Sequence, residues 1–290
     1  MNNTQNTDAI AEFEQAPAAR SVGVEMMASR EAQEVQVAML AAKKFPRDAY
    51  MAYNRIMQDC KRRTLAEKSM YEFTRGSSTV TGPSIHLAKA IARSWGNLDS
   101  GFKVLEQSEK ESTVMAYCWD LETNYRETKV FTVRHIRETK KGSYPLTDSR
   151  DIYELIANQS ARRERSCILS VIPQDIVDAA VGQCNATLSG GGKMTKEDAA
   201  RDIINRFQEH YGVSKEMLET YVGRKAEAFT VQTVNRLRAV YTALSDGTAT
   251  VEQYFDTSGP APIQTGQEEP QEQSDAPVQQ EEPVSLHDIH

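Results

Sequence analysis

Residues 112–120 read Ser112-Thr113-Val114-Met115-Ala116-Tyr117-Cys118-Trp119-Asp120. The run is rich in β-branched and aromatic residues and holds neither glycine nor proline, which is the composition of a strand. Side chains alternate across a strand, so Val114, Ala116 and Cys118 share one face and Met115, Tyr117 and Trp119 the other. Both faces are apolar, and both therefore need cover. Extended runs flank this strand at 101–107 and 127–136, and residues 120–125 form a hairpin loop between the second and third runs. The expectation is a three-stranded antiparallel sheet.

Helical patterns surround it. Upstream, helices are predicted at 30–45 and 47–62, with Pro46 in the first turn of the second, and a short one at 64–71. An extended run at 71–76 ends in a Gly-Ser-Ser turn, and Pro83 is read as the first residue of a helix that stops at Gly96. On that helix Ile85, Ala88, Ile91, Ala92 and Trp95 form the apolar face, which makes Trp95 a core residue. Downstream, a basic, mobile loop spans 137–147, a long helix 149–171, and a further helix runs from Pro173 to about Leu188. After Ser189-Gly190-Gly191-Gly192, helices are predicted at 195–211, 214–222, 230–245 and 250–255. Thr195 and Ser214 serve as N-caps, and Gly212 and Gly247 as terminators. The fold class is α+β: the sheet packed on helices, then a small helical C-terminal module and a disordered acidic tail. The predicted segments are a disordered N-terminus at 1–28, a core at 29–188, a Gly-rich linker at 189–194, the helical module at 195–256 and the tail at 257–290.

The chain has 290 residues, 39% hydrophobic and 26% charged, ordinary values for a globular protein. No run approaches the roughly 18 apolar residues of a membrane helix. The start is polar and acidic rather than signal-like, so the expected location is the cytoplasm, with no membrane partner. The four cysteines, Cys60, Cys118, Cys167 and Cys184, form no CxxC pair and have no histidine at ligand spacing; reduced, buried thiols are expected, and no structural zinc. Net charge is −7, but it is unevenly placed. Residues 41–170 carry 23 Lys/Arg against 16 Asp/Glu, whereas 257–290 carry none against 7. A basic central region thus lies between acidic segments.

Catalytic signatures fail at named positions. Gly192-Lys193 invites a phosphate-loop reading, but Thr187 stands where the first glycine is needed and Met194 where Ser or Thr is needed. No HExxH or GxSxG occurs, and the central carboxylates are too scattered for a two-metal site. No catalytic residue, metal or cofactor is assigned. What remains is the chemistry of a polyanion binder: cations for phosphates, with flat surfaces for bases. Basic clusters stand at Lys61, Arg62 and Arg63; at Arg134, Arg137, Lys140 and Lys141; and at Arg162, Arg163 and Arg165. On a helix Arg162 and Arg165 share a side and Arg163 turns about 100° away, leaving it to pair with a carboxylate such as Glu164 or Glu154. Gln159 is a polar companion to Arg162 and Arg163. The turn Arg75-Gly76-Ser77-Ser78 exposes backbone N–H groups before a helix and permits close approach of a phosphate. The candidate binding set is Arg75, Ser77, Ser78, Lys89, Arg134, Arg137, Lys140, Lys141, Gln159, Arg162, Arg163 and Arg165.

The order of a helix from Pro83, three antiparallel strands and a long helix from Arg150 bearing Arg162-Arg163-Glu164-Arg165 resembles the core of phage single-strand annealing proteins of the RecT/Redβ and Erf kinds. The likeness rests on Thr74-Arg75-Gly76-Ser77-Ser78, Thr81-Gly82-Pro83-Ser84-Ile85, Trp95-Gly96-Asn97-Leu98-Asp99, Asp151-Ile152-Tyr153-Glu154 and Ala161-Arg162-Arg163, and covers about residues 30–188. It implies a non-enzymatic, ATP-independent binder of single-stranded DNA and annealed duplex, acting as a homo-oligomeric ring or filament with a continuous basic groove. Residues 237–255 resemble a helical module that ends several phage recombination proteins. That likeness implies contact with a host single-strand binding protein, beside a phage exonuclease as a further partner. The alternatives by class are a DNA nuclease or nuclease-associated subunit, and a protein-binding adaptor.

Overall fold

The computed structural model describes residues 22–75, 78–139, 142–190 and 195–256. The predicted tail at 257–290, most of the Gly-rich linker and the first 21 residues lie outside them. The described chain falls within one compact unit that ends at Asp256.

Its elements run α1 (Val22–Lys44), α2 (Ala49–Cys60), α3 (Arg63–Glu67), β1 (Met70–Arg75), β2 (Ser78–Pro83), α4 (Ile85–Trp95), β3 (Leu98–Gln107), β4 (Glu111–Asp120), β5 (Arg126–Arg134), β6 (Ile136–Thr139), β7 (Gly142–Pro145), α5 (Ser149–Val171), α6 (Gln174–Ser189), α7 (Lys196–Tyr211), α8 (Lys215–Val222) and α9 (Val231–Ser245). The fold is α+β. Strands β3, β4 and β5 form a three-stranded antiparallel sheet in that order, and β1–β2 and β6–β7 are separate two-stranded hairpins.

The alternation in β4 sets the layers. Val114, Ala116 and Cys118 are fully buried, and α5 lies over them, where the Cys167 thiol donates to the Ala116 carbonyl at 3.7 Å. On the other face Tyr117 is buried while Met115 and Trp119 are half-buried. Trp95 is a core residue, packed with Ile56, Leu87, Ile91, Ile168 and Val177 from α2, α4, α5 and α6. All four cysteines are free and buried. His135, 1% exposed, is a satisfied core histidine. Its Nδ1 lies 3.1 Å from the Glu109 carbonyl, which can only accept. Nδ1 therefore carries the proton, and Nε2 accepts from the Ser112 hydroxyl at 2.8 Å.

Several boundaries differ from the sequence reading. Residues 22–28, expected to be disordered, begin α1. The expected helix at 64–71 ends at Glu67, and Met70 already pairs in β1. Pro83 closes β2 instead of opening a helix; Ser84 is the N-cap, its hydroxyl accepting from the Leu87 N–H. Pro46 precedes α2, which is capped by Asp48. The expected loop at 137–147 contains the β6–β7 hairpin.

The helices beyond the linker pack back onto the core. Tyr71 and Phe73 of β1 join the cluster built on Phe207, Leu218, Leu237 and Val240. Arg238 of α9, 6% exposed, reaches Glu67 of α3 at 3.3 Å. Burial, then the Glu72 charge, pushes the Tyr221 hydroxyl up from 10.0 to about 12. The folded state therefore holds that proton more tightly than the unfolded chain. The contribution is complete below pH 10 and is lost as pH rises from 10 to about 12. Stability measured by urea melts should fall across that window, and Tyr221→Phe should make the fall shallower by about one proton. An unchanged slope would contradict the assignment.

Candidate nucleic-acid interface

The basic centre of the molecule is the second half of α5. Asp148 starts this helix by accepting from the N–H groups of Arg150 and Asp151, and Ile152, Ile156, Cys167 and Ile168 are buried along its length. Arg162, Arg163 and Arg165 are each half-buried.

Each guanidinium is held by neutral groups. Arg162 donates to the Gly247 carbonyl at 2.5 Å, and its Nε is buried without a hydrogen-bond partner. Arg163 donates to the carbonyl of Gln159 at 2.9 Å and to its side-chain oxygen at 2.6 Å, and its head lies 4.2 Å from the Phe131 ring centroid. Arg165 stacks 4.0 Å from the Tyr71 ring. Such stacking contributes about 0.5–2 kcal/mol each and fixes the planar heads without neutralising them. Burial lowers the pKa of all three, and for Arg162 the neighbouring Arg163 and Arg165 lower it further. Around Arg165, Tyr71 and Asp246 act the other way. The groups stay protonated. None of the three forms an ion pair among the described residues. Arg163 does not take Glu164, as the sequence suggested, because Glu164 is 4% exposed and pairs with Lys89 at 3.1 Å.

Other expected cations are already neutralised. Arg137 lies 3.5 Å from Asp151, Arg62 lies 3.0 Å from Asp59 and Arg63 3.0 Å from Glu67. Lys89 belongs to the same class. Arg134 is exposed at the end of β5. Arg75 and Ser78 face each other in the register that closes the β1–β2 hairpin, but their side chains lie outside the described residues, as do Ser77, Lys140 and Lys141.

The arginines do not line one side. At 100° per residue, Arg163 and Arg165 are about 160° apart on α5. Arg163 faces β5, whereas Arg162 and Arg165 face Gly247 and β1. The single groove expected from sequence is therefore two flanks of one helix. The β5 flank gains residues the sequence reading missed. Lys129 donates to the Ser166 hydroxyl at 2.6 Å and has no carboxylate partner among the described residues. Phe131, two residues on, supports Arg163 from the same strand face. The signal was available: Lys129, Phe131 and the buried Val133 alternate in step along β5.

A half-buried cation without a counter-ion is unfavourable, because desolvation is not offset. Arg162, Arg163 and Lys129 are such groups, and Arg165 has Asp246 near it but in no ion-pair contact; an anion with repeating charge would relieve the arrangement. No protein-family model, curated protein or solved structure matches the chain.

Proposed function

We propose that this protein binds single-stranded DNA and promotes annealing of complementary strands without nucleotide hydrolysis, as a homo-oligomer in the cytoplasm. The observation that carries this reading is the set Arg162, Arg163, Arg165 and Lys129, cations held by rings, carbonyls and hydroxyls and by no carboxylate. Their charge remains for phosphates, and planar heads already stacked on Phe131 and Tyr71 lose little entropy on contact. The amide of Gln159 beside Arg163 adds a polar group for the same backbone. The acidic balance of the whole chain does not oppose this, because salt shortens the reach of distant charge to about 10 Å at 0.1 M. Thr187 and Met194, where a phosphate loop needs Gly and Ser or Thr, support a mechanism driven by binding alone.

In this mechanism the cations hold one strand by its phosphates and leave its bases free to pair. A second strand is then sampled against it, and the paired product stays bound. Fluorescence anisotropy of a labelled oligonucleotide tests the first step. The expected result is tight binding at low salt that weakens as a power of salt concentration, with a slope of about 0.7 per phosphate engaged. Absence of binding at 50 mM salt would overturn the reading.

No single described helix is long and apolar enough to cross a membrane; α5 and α6, long and apolar enough only when taken together, meet at 115° and contribute buried residues to the core.

A further inference from the structure

The C-terminal helices meet the arginine helix directly where Arg162 donates to Gly247, and they grip the strand beneath Arg165 through one buried carboxylate. Glu72, in the middle of β1, is 5% exposed. Its Oε1 accepts from the Tyr221 hydroxyl at 2.9 Å and from Arg236 Nε at 2.8 Å. The Tyr254 hydroxyl donates to the Glu72 carbonyl. Arg236 also donates to the Tyr221 hydroxyl at 3.0 Å and lies 4.8 Å from its ring. Three side chains from α8, α9 and the turn after α9 thus converge on one strand residue. Burial alone would lower the Arg236 pKa, but Glu72 and Tyr221 outweigh it and leave it raised.

The neighbours of Glu72 give this knot a purpose. Tyr71 carries Arg165 on its ring, and Tyr71 and Phe73 stack on each other with centroids 5.9 Å apart. Both rest against the C-terminal core. β1 also leads directly into the hairpin that Arg75 and Ser78 close. A two-stranded hairpin is marginal by itself, so its position depends on what grips it.

We infer that Glu72 is a positioning residue: through it the C-terminal helices hold the β1–β2 hairpin, and with it the ring beneath Arg165, in place for the strand. This rests on the strand-binding reading above. The C-terminal helices are then a wall of the interface rather than a tethered appendage.

The test uses the full chain with Glu72→Ala, Glu72→Gln, and Lys215→Gln as a control that removes the ion pairs of α8 with Glu219 and Glu227 without touching Glu72 or the cluster beneath Tyr71. Two readouts are taken on each: hydrogen exchange of β1 and β2, and oligonucleotide affinity with its salt slope. Glu72→Ala should speed exchange in β1–β2 by at least about tenfold and weaken binding roughly tenfold, the cost of ordering a hairpin and one long side chain on contact. The salt slope should fall by about 0.7, one phosphate, as Arg165 is released. Glu72→Gln, which keeps both acceptor contacts, should recover most of the affinity. Lys215→Gln should leave the exchange of β1–β2, the affinity and the slope unchanged. Unchanged exchange in Glu72→Ala would overturn the inference, as would unchanged affinity in a variant whose hairpin has loosened, or equal losses in Lys215→Gln. If the wild-type chain binds no oligonucleotide, the strand-binding reading fails on that result alone, and the exchange data still decide whether Glu72 holds the hairpin.

Discussion

Replacing Arg47 with alanine should destabilise the fold by about 3–5 kcal/mol, the cost of leaving a buried charge without its partner. Arg47 precedes α2, and its side chain is 9% exposed. It pairs with Asp120 at 3.1 Å and lies 3.6 Å from Glu122. It also donates to the carbonyls of Trp95 and Gly96, at 3.0 Å and 2.9 Å, and stacks 4.7 Å from the Trp95 ring. Those carbonyls end α4, where no intrahelical donor exists for them. One guanidinium therefore joins α2, the end of α4 and the end of β4. Its removal strips the counter-ion from Asp120, itself 5% exposed, leaving it only the N–H groups of Glu122 and Thr123 at Oδ1, and takes the donor from both carbonyls. Domains of this kind have only about 5–15 kcal/mol in total, so the variant should unfold at a much lower urea midpoint with an unchanged m-value. A loss below about 1 kcal/mol would mean that water replaces these contacts.

The second large effect concerns binding. Changing Arg162, Arg163 and Arg165 together to glutamine removes three charges and keeps side chains that can still donate. If each meets one phosphate, the salt slope should fall by about 2, which corresponds to roughly a 100-fold loss of affinity at 0.1 M salt. Arg137→Gln and Arg62→Gln should change affinity by no more than about twofold, because those cations are already paired and exposed. Equal losses from both groups would mean that general charge, and not the α5 arrangement, governs binding. Circular dichroism and a urea melt on each variant separate lost contacts from lost fold.

The contrast between paired and unpaired cations marks where sequence reasoning stops. The α5 boundaries follow from local chemistry: Asp148 caps one end, and Pro173 stands just beyond the other. Thr195, Ser214 and Thr230 each cap a helix through their own hydroxyls. The β4 alternation likewise reads directly into buried Val114, Ala116 and Cys118. Pro83 misled because its fixed φ suits the end of an edge strand as well as a first helical turn. The β6–β7 hairpin is four residues a side and mostly exposed, too short and polar for a periodic signal.

The candidate site was legible as composition and not as geometry. Spacing shows that Arg162 and Arg165 share a side. It cannot show that Glu164 turns inward to Lys89, or that Phe131 and Tyr71, 32 and 94 residues from the arginines stacked on them in the sequence, lie beneath their heads. Those are tertiary facts. They separate Lys89 and Arg137, already in ion pairs, from Arg162, Arg163 and Arg165, which are in none among the described residues. Gly247 was likewise legible as a helix terminator at positive φ, but its carbonyl as the acceptor for Arg162 was not.

Strand pairing driven by binding alone is measured directly with two complementary oligonucleotides carrying a donor and an acceptor fluorophore, mixed at low salt with the protein and without nucleotide. Energy transfer should rise many times faster than in buffer, with the triple glutamine variant at the buffer rate. A wild-type rate equal to buffer, under conditions where anisotropy shows both strands bound, would contradict it.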